Sequence, residues 1–327
     1  MRKIPEIRVV GDAPVVEKDK AAERIRQSIL HSVEALSPKL KEKLEQFETP
    51  STEIEQKIFS FANDHTNRLM DELGLDYYDI PLGNYHMIDA DLQRDVAKIF
   101  IEEKDNDNDD NEYLTDAVAH SDYQMIVFST RLRESDTNMI DLATTAIHET
   151  LHLKAYLALH AKGKTKAAYR MGVSTYSPLG FNESEHFGGL HEAIVEHQSA
   201  LALDDVLKMP ELVEQKNILQ NKIDEALAGE DPREQIFAYQ EQRQALSYIC
   251  EKISDDNPDK YPSPSAVFTQ FLKAHFTGDL LTVGRLVEQS FGRGSFRVLG
   301  EMTVETDDAL VKLELLSEMR RLRHQVA

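Results

Sequence analysis

The pentapeptide His148-Glu149-Thr150-Leu151-His152, set in a stretch from Ile140 to Leu157 that reads as a long helix, constrains this chain more than any other feature. On a helix, residues four apart sit about 40° from each other around the axis and one turn along it. Both imidazoles therefore reach a single ion from the same face. Glu149 lies one step round, near enough to hold a water on that ion without ligating it. With 12 histidines in 327 residues, composition alone yields about 0.04 chance occurrences of the pattern. The competing reading is two surface histidines on a charged helix face.

A divalent ion at such a motif lowers the pKa of a water toward neutrality, and the carboxylate can take its proton and pass it to a leaving amine. Tetrahedral zinc needs a third protein ligand and an open fourth position. The continuation Leu153-Lys154-Ala155-Tyr156-Leu157-Ala158 has alanine at both places where a metzincin needs glycine and its third histidine, so that family is rejected. Downstream, Gly189-Leu190-His191-Glu192-Ala193-Ile194-Val195-Glu196-His197 opens a second helix. Glu192 and Glu196 share one of its faces, as they also would on a solvated amphipathic helix. His186, His191 and His197 lie close by and are alternative ligands.

A helical His-Glu-x-x-His followed by a helix reading Glu-Ala-x-x-Glu resembles the gluzincin metallopeptidases, including thermolysin-like enzymes and the compact minigluzincins. The resemblance implies one zinc ion per chain, held by His148, His152 and Glu192, with Glu149 as general base and acid. It implies Glu196 as a brace on a zinc-bound histidine, and a peptide or protein as substrate. It further implies a short sheet ahead of the active-site helix whose edge strand binds substrate antiparallel, and Tyr123 to Ser129 fits that edge. The specific match covers about 137–200, with 83–130 fitting loosely. Two departures stand out. Thirty-nine residues separate His152 from Glu192, more than in thermolysin-like members, and His191 stands where the family often has Asn. For the donor that faces a developing oxyanion, Tyr176 is the first candidate, with His186 and Tyr239 behind it. Arg170 fits a structural salt bridge better than a contact to a substrate carboxylate.

The balance of charge narrows the partners. Fifty-eight acidic against 37 basic residues give a formal net charge of -21, which repels phosphate backbones and anionic membranes alike. No nucleic acid and no membrane partner is expected. Solubility accounts for the charge, and a preference for basic substrates is the alternative. Cys250 is the single cysteine, so neither an intrachain disulfide nor a cysteine-based metal site can form. Its setting among Ala245, Leu246, Ile249 and Ile253 is that of a buried, inert thiol. No stretch approaches the roughly 18 apolar residues of a membrane span, and the start of the chain lacks the apolar run of a secretory signal. A cytoplasmic address follows by elimination. The acidic run 102–112 has the carboxylate density of a calcium loop, but Asp110 stands where such a loop turns on glycine. A solvated loop is expected there.

Elsewhere the pattern predicts an arm over 1–18 and a helix from Lys20 to Phe47, interrupted at Ser37-Pro38, with Ile25, Ile29, Val33 and Leu36 on its buried face. Thr52 and Glu55 form a capping box for a helix to Leu73, stopped by Gly74. Strands are expected at 85–88, 96–101 and 123–128. The motif helix should run from about Thr137 to near Ala161, capped by Ser135 or Asp136. A strand follows over 170–176, then the second motif helix to about Lys208, then helices over 211–228, 232–254, 263–275, 279–290 and 304–325. The expected class is α+β and predominantly helical, with a zincin-like core, a small twisted sheet packed on the active-site helix, and a helical C-terminal half closing the cleft. The organisation reads as an N-terminal arm and helices (1–75), a catalytic core (76–208) and a helical C-terminal subdomain (209–327).

Two other functions compete. A helical interaction protein with a structural zinc would need four protein ligands and would leave Glu149 without a duty. A di-iron carboxylate protein would use Glu149-x-x-His152 with Glu183-x-x-His186, but Glu183 lies between Gly180 and Gly188-Gly189, where a bundle helix is implausible.

Overall fold

The computed structural model describes residues 7–30, 38–92, 116–120, 124–162, 165–176, 185–226, 232–303, 311–315 and 317–318. Its elements begin with β1 (Arg8–Val10), α1 (Val15–Leu30), α2 (Pro38–Phe47), α3 (Glu53–Glu72), β2 (Tyr85–Ile88), β3 (Ala117–His120) and β4 (Met125–Ser129). They continue with α4 (Asn138–Lys154), β5 (Leu157–Lys162), β6 (Thr165–Met171), β7 (Ser174–Tyr176), β8 (Glu185–His186) and α5 (Gly188–Val206). The remainder is α6 (Val213–Glu225), α7 (Gln240–Asp256), α8 (Pro264–Thr277), α9 (Leu280–Phe291) and α10 (Ser295–Gly300). This is a mixed α and β fold, mostly helical, with two small sheets among the described residues. Two compact units divide it, one built chiefly from 19–153 and 199–236, the other from 8–18, 154–198 and 237–327.

In the first unit, α3 forms where its local chemistry directs. The Thr52 hydroxyl accepts the Glu55 N–H at 3.3 Å, and the Glu55 carboxylate accepts the Thr52 N–H at 2.6 Å, so two orphan donors of the first turn are satisfied. Gly74 ends the run with a φ of 73°, a backbone that costs glycine little. The inner face presents Ile58, Phe59 and Ala62. Phe59 stacks on Tyr85 at 4.9 Å and on Phe128 at 5.0 Å, which seats α3 on the sheet. Full burial of that one ring contributes about 2 kcal/mol.

The sheet itself has the order β2-β4-β3, with β2 parallel and β3 antiparallel to β4. Met125–Ser129 is thus the middle strand, not the edge expected for Tyr123 to Ser129. All five of its residues are buried, as a strand flanked by two others and covered on both faces requires. The neighbour that makes it central, Ala117–His120, has two alanines and little strand propensity of its own. Among the described residues the open edges belong to β2 and β3.

The second unit holds a five-stranded sheet in the order β1-β5-β6-β7-β8, with β1 parallel to β5 and the other pairs antiparallel. The extended arm expected at the N-terminus pairs as a strand over Arg8–Val10, and α1 begins at Val15, ahead of Lys20. One expectation changes here: the motif helix stops at Lys154 instead of continuing to near Ala161. Leu157 to Ala161 is rich in helix formers, but it pairs on both sides as β5. The Tyr156 N–H donates to His275 O at 2.9 Å and Tyr156 O accepts the Gly172 N–H at 2.7 Å. Such long-range bonds outweigh a helix preference of a few tenths of a kcal/mol per residue, roughly the whole of the local signal.

Leu246, Ile249, Ile253, Val267, Phe271, Val283, Val287 and Phe291 from α7, α8 and α9 are fully buried and form the helical core of this unit. Cys250 lies among them, and burial pushes its thiol up to about 12, consistent with an inert group. α7 starts at Gln240 and not at 232, and α10 has no counterpart in the sequence reading. The expected strand 96–101, the acidic run 102–112, the turn around Pro178 with Glu183, and most of 304–325 lie outside the described residues. Among the described residues no helix is long and apolar enough to cross a membrane.

Candidate metal centre

Helix α4 is anchored at its start by polar side chains. Ser135 Oγ and Thr137 Oγ1 both donate to Asp141 Oδ2, at 2.7 and 3.2 Å, and Asn138 Nδ2 donates to Arg133 O at 2.8 Å. Ser135, one of the two residues expected to cap the helix, therefore engages a side chain one turn in. Burial raises the Asp141 pKa, and the two hydroxyl bonds oppose it without cancelling it. Further along, Ala143, Ala146, Ile147 and Leu151 are fully buried. Thr150 Oγ1 meets Tyr85 Oη at 3.2 Å, and Leu153 O accepts from Tyr78 Oη at 2.7 Å. His152 is 7% exposed and Glu149 is 8% exposed. His148 is half-buried, so the two histidines differ in exposure.

The Nε2 atoms of His148 and His152 lie 3.0 Å apart, and their rings meet edge-on with centroids at 4.7 Å. Metal–nitrogen bonds of the usual length at a tetrahedral centre would place two such atoms about 3.3 Å apart. One ligand atom from each of His148, His152 and Glu192 lies within 4.8 Å of the others. Two imidazoles and a carboxylate are a donor set able to hold a divalent ion with a position left open. Among the described residues, none of the three alternative histidines belongs to that group. His186 is exposed on β8 opposite Thr175, His197 meets Phe268 edge-on at 4.5 Å, and His191 stacks on His275 at 5.0 Å.

The start of α5, which carries Glu192, is apolar around much of its circumference. Leu190, Ala193, Ile194 and Val195 are fully buried, and Glu196 is only 6% exposed. Glu196 is therefore not on a solvated face, and its burial requires hydrogen-bonding or charged partners, whereas Glu192 is half-buried. Glu196 Oε1 accepts the Ala238 N–H at 2.5 Å. Tyr176 also belongs to this neighbourhood. Burial, then the charge of Glu185, with a smaller contribution from Glu192, raises its pKa well above the ordinary phenol value, while a hydrogen bond with Ser174 opposes the shift. Tyr239, by contrast, precedes α7 with a left-handed φ of 52°. Arg170 lies over the Tyr156 ring at 5.0 Å and donates to Gly278 O at 2.7 Å, and its charge acts on the Asp279 carboxylate.

Sequence reasoning passed over Tyr85, Thr150, Gly172 and His275, all of which fix the motif helices or their surroundings. Nothing in their local sequence signals it, because each acts on a residue distant in the chain. No protein-family model, curated protein or solved structure matches this chain.

Proposed function

We propose that this chain is a zinc-dependent peptidase of the gluzincin kind, which hydrolyses a peptide bond with a metal-activated water. The observation that carries the reading is the approach of His148, His152 and Glu192 to within 4.8 Å of one another, beside a buried Glu149. Zinc suits the donor set, since imidazole nitrogen and carboxylate oxygen are its common ligands and three of them leave room for water. When bound, the ion would supply Lewis acidity and a water of near-neutral pKa.

The chain's own residues do the rest. Glu149 is held one residue from His148 by the helix, where its carboxylate receives the water's proton and returns it to the leaving nitrogen, a role worth about 10²–10⁴-fold in rate. Tyr176 carries its proton at neutral pH, as a phenol ordinarily does, and is the candidate donor for an oxyanion. The bracing role of Glu196 belongs to the same reading, and its bond from Ala238 sets the direction of its carboxylate.

The test compares wild type with Glu149→Gln by zinc content and by cleavage of a mixed peptide library. The expected result is one zinc per chain in both, with cleavage by the variant lower by about 10²–10⁴-fold. Zinc in both proteins with no cleavage by either would favour a structural site, and no zinc in either would remove the metal reading altogether.

A further inference from the structure

We propose that Gly172 and His275 are positioning residues for Glu192, acting through the ring of His191; this rests on the reading of Glu192 as a metal ligand. His191 immediately precedes Glu192, and its N–H donates to Phe187 O at 2.9 Å in the first turn of α5. Its side chain is 1% exposed and lies against His275, 0% exposed, with ring centroids 5.0 Å apart and planes inclined by 30°. Gly172 bounds the same space. A Cβ built on it would lie 2.7 Å from His191 Cε1, His191 Nδ1 and His275 Nδ1. That separation is far inside contact distance, and two stacked, buried rings have little room to retreat.

The clamp is closed through the backbone. Tyr156 donates its N–H to His275 O at 2.9 Å and accepts the Gly172 N–H at 2.7 Å. The glycine and the His275 helix are therefore fixed to one another, and the His191 ring has one place to lie between them. Because Glu192 follows His191 on a rigid helix, the position of that ring sets the position of the carboxylate. The left-handed φ of 56° at Gly172 and the close ring approach both select glycine there.

The experiment separates contact from backbone strain. Gly74 has a comparable φ of 73° but nothing within 4 Å of its built Cβ, so Gly74→Ala carries strain without a clash. Zinc affinity by chelator competition and the visible spectrum of the Co²⁺-loaded protein are measured for wild type, Gly172→Ala, Gly74→Ala and Glu192→Ala. The expected result for Gly172→Ala is a loss of about tenfold or more in zinc affinity, as for other changes just outside a ligand shell, with a cobalt spectrum shifted toward that of Glu192→Ala. Gly74→Ala should match wild type in both. Wild-type affinity and spectrum in folded Gly172→Ala would overturn the proposal. If Glu192→Ala itself leaves affinity and spectrum unchanged, the ligand reading fails, whatever residue 172 does. Should Gly172→Ala not fold, His275→Leu, which keeps bulk but not the ring face, is read by the same two measurements: a loss with a shifted spectrum supports the proposal and wild-type values overturn it.

Discussion

Helix α4 is anchored by groups that its surroundings offer, whereas the start of α5 is fixed by groups that its surroundings lack. On α4 the anchors are directional: hydroxyls of Ser135 and Thr137 on Asp141, Asn138 on the carbonyl of Arg133, and Tyr85 against Thr150. Arg133 in turn grips the solvent-inaccessible carboxylate of Glu55, with Nε–Oε1 at 2.6 Å and Nη2–Oε2 at 2.9 Å. At the start of α5 the fit is steric. A Cβ on Gly189 would lie 2.5 Å from Thr303 O, and one on Gly188 would lie 2.7 Å from the Glu185 carboxylate. Phe187, in a left-handed conformation with φ 65°, donates its N–H to Gly300 O at 2.9 Å. Directional anchors can be weakened one at a time, while a steric fit tolerates no added atom.

The strongest challenge to the polar half of this contrast is Arg133→Ala. It would leave Glu55 buried without its ion-pair partner, at a cost of about 3 kcal/mol at neutral pH. The loss should also depend on pH. Burial pushes the Glu55 pKa up, but hydrogen bonds from Arg133 and Thr52, with the charge of Arg133, outweigh it and hold the carboxyl below its ordinary value. A depressed folded-state pKa gives stability that is complete above the unfolded value, about 4.3, and that drains away as pH falls through the folded one. Urea unfolding at pH 7 and pH 3 should therefore show a large deficit for the variant that shrinks in acid. Equal stability of the two proteins at pH 7 would break the polar half.

Gly189→Ala probes the steric half, and its sign is decisive. In an open helix the change would stabilise by about 0.5–1 kcal/mol. Against the Thr303 carbonyl it should instead destabilise by about 2 kcal/mol, visible as a lower midpoint in thermal or urea unfolding. A raised midpoint would show that α5 is not sterically held.

The smallest effect is expected for Asp141→Asn. Burial raises this carboxyl's folded-state pKa above its unfolded value, so its favourable contribution is present below about pH 3.9 and is lost as pH rises through the folded pKa. The variant should match wild type in acid and be slightly more stable at pH 7. A less stable variant at pH 7 would mean that the Ser135 and Thr137 bonds outweigh the cost of burying the charge, which would sharpen the case for polar anchoring.

What was legible in the sequence follows the same division. The start of α3 was readable because the Thr52–Glu55 box is closed by residues three apart, and its end because Gly74 tolerates the backbone that stops a helix. The end of α4 was not readable. Leu157 to Ala161 favours a helix locally, and only its pairing with β1 and β6 makes it a strand. The central place of Met125–Ser129 was missed for a similar reason, since the strand that covers its far side is a weakly patterned Ala-Val-Ala-His.

By itself the sequence determined that His148 and His152 share a helix face with Glu149 one step away, because helical spacing is a covalent consequence of chain order. It determined as well that a single cysteine, Cys250, leaves no partner within these residues for an intrachain disulfide. Only the tertiary structure decided that Glu192, and not His186, His191 or His197, is grouped with His148 and His152. That grouping depends on contacts between residues far apart in the chain, for which no local pattern exists.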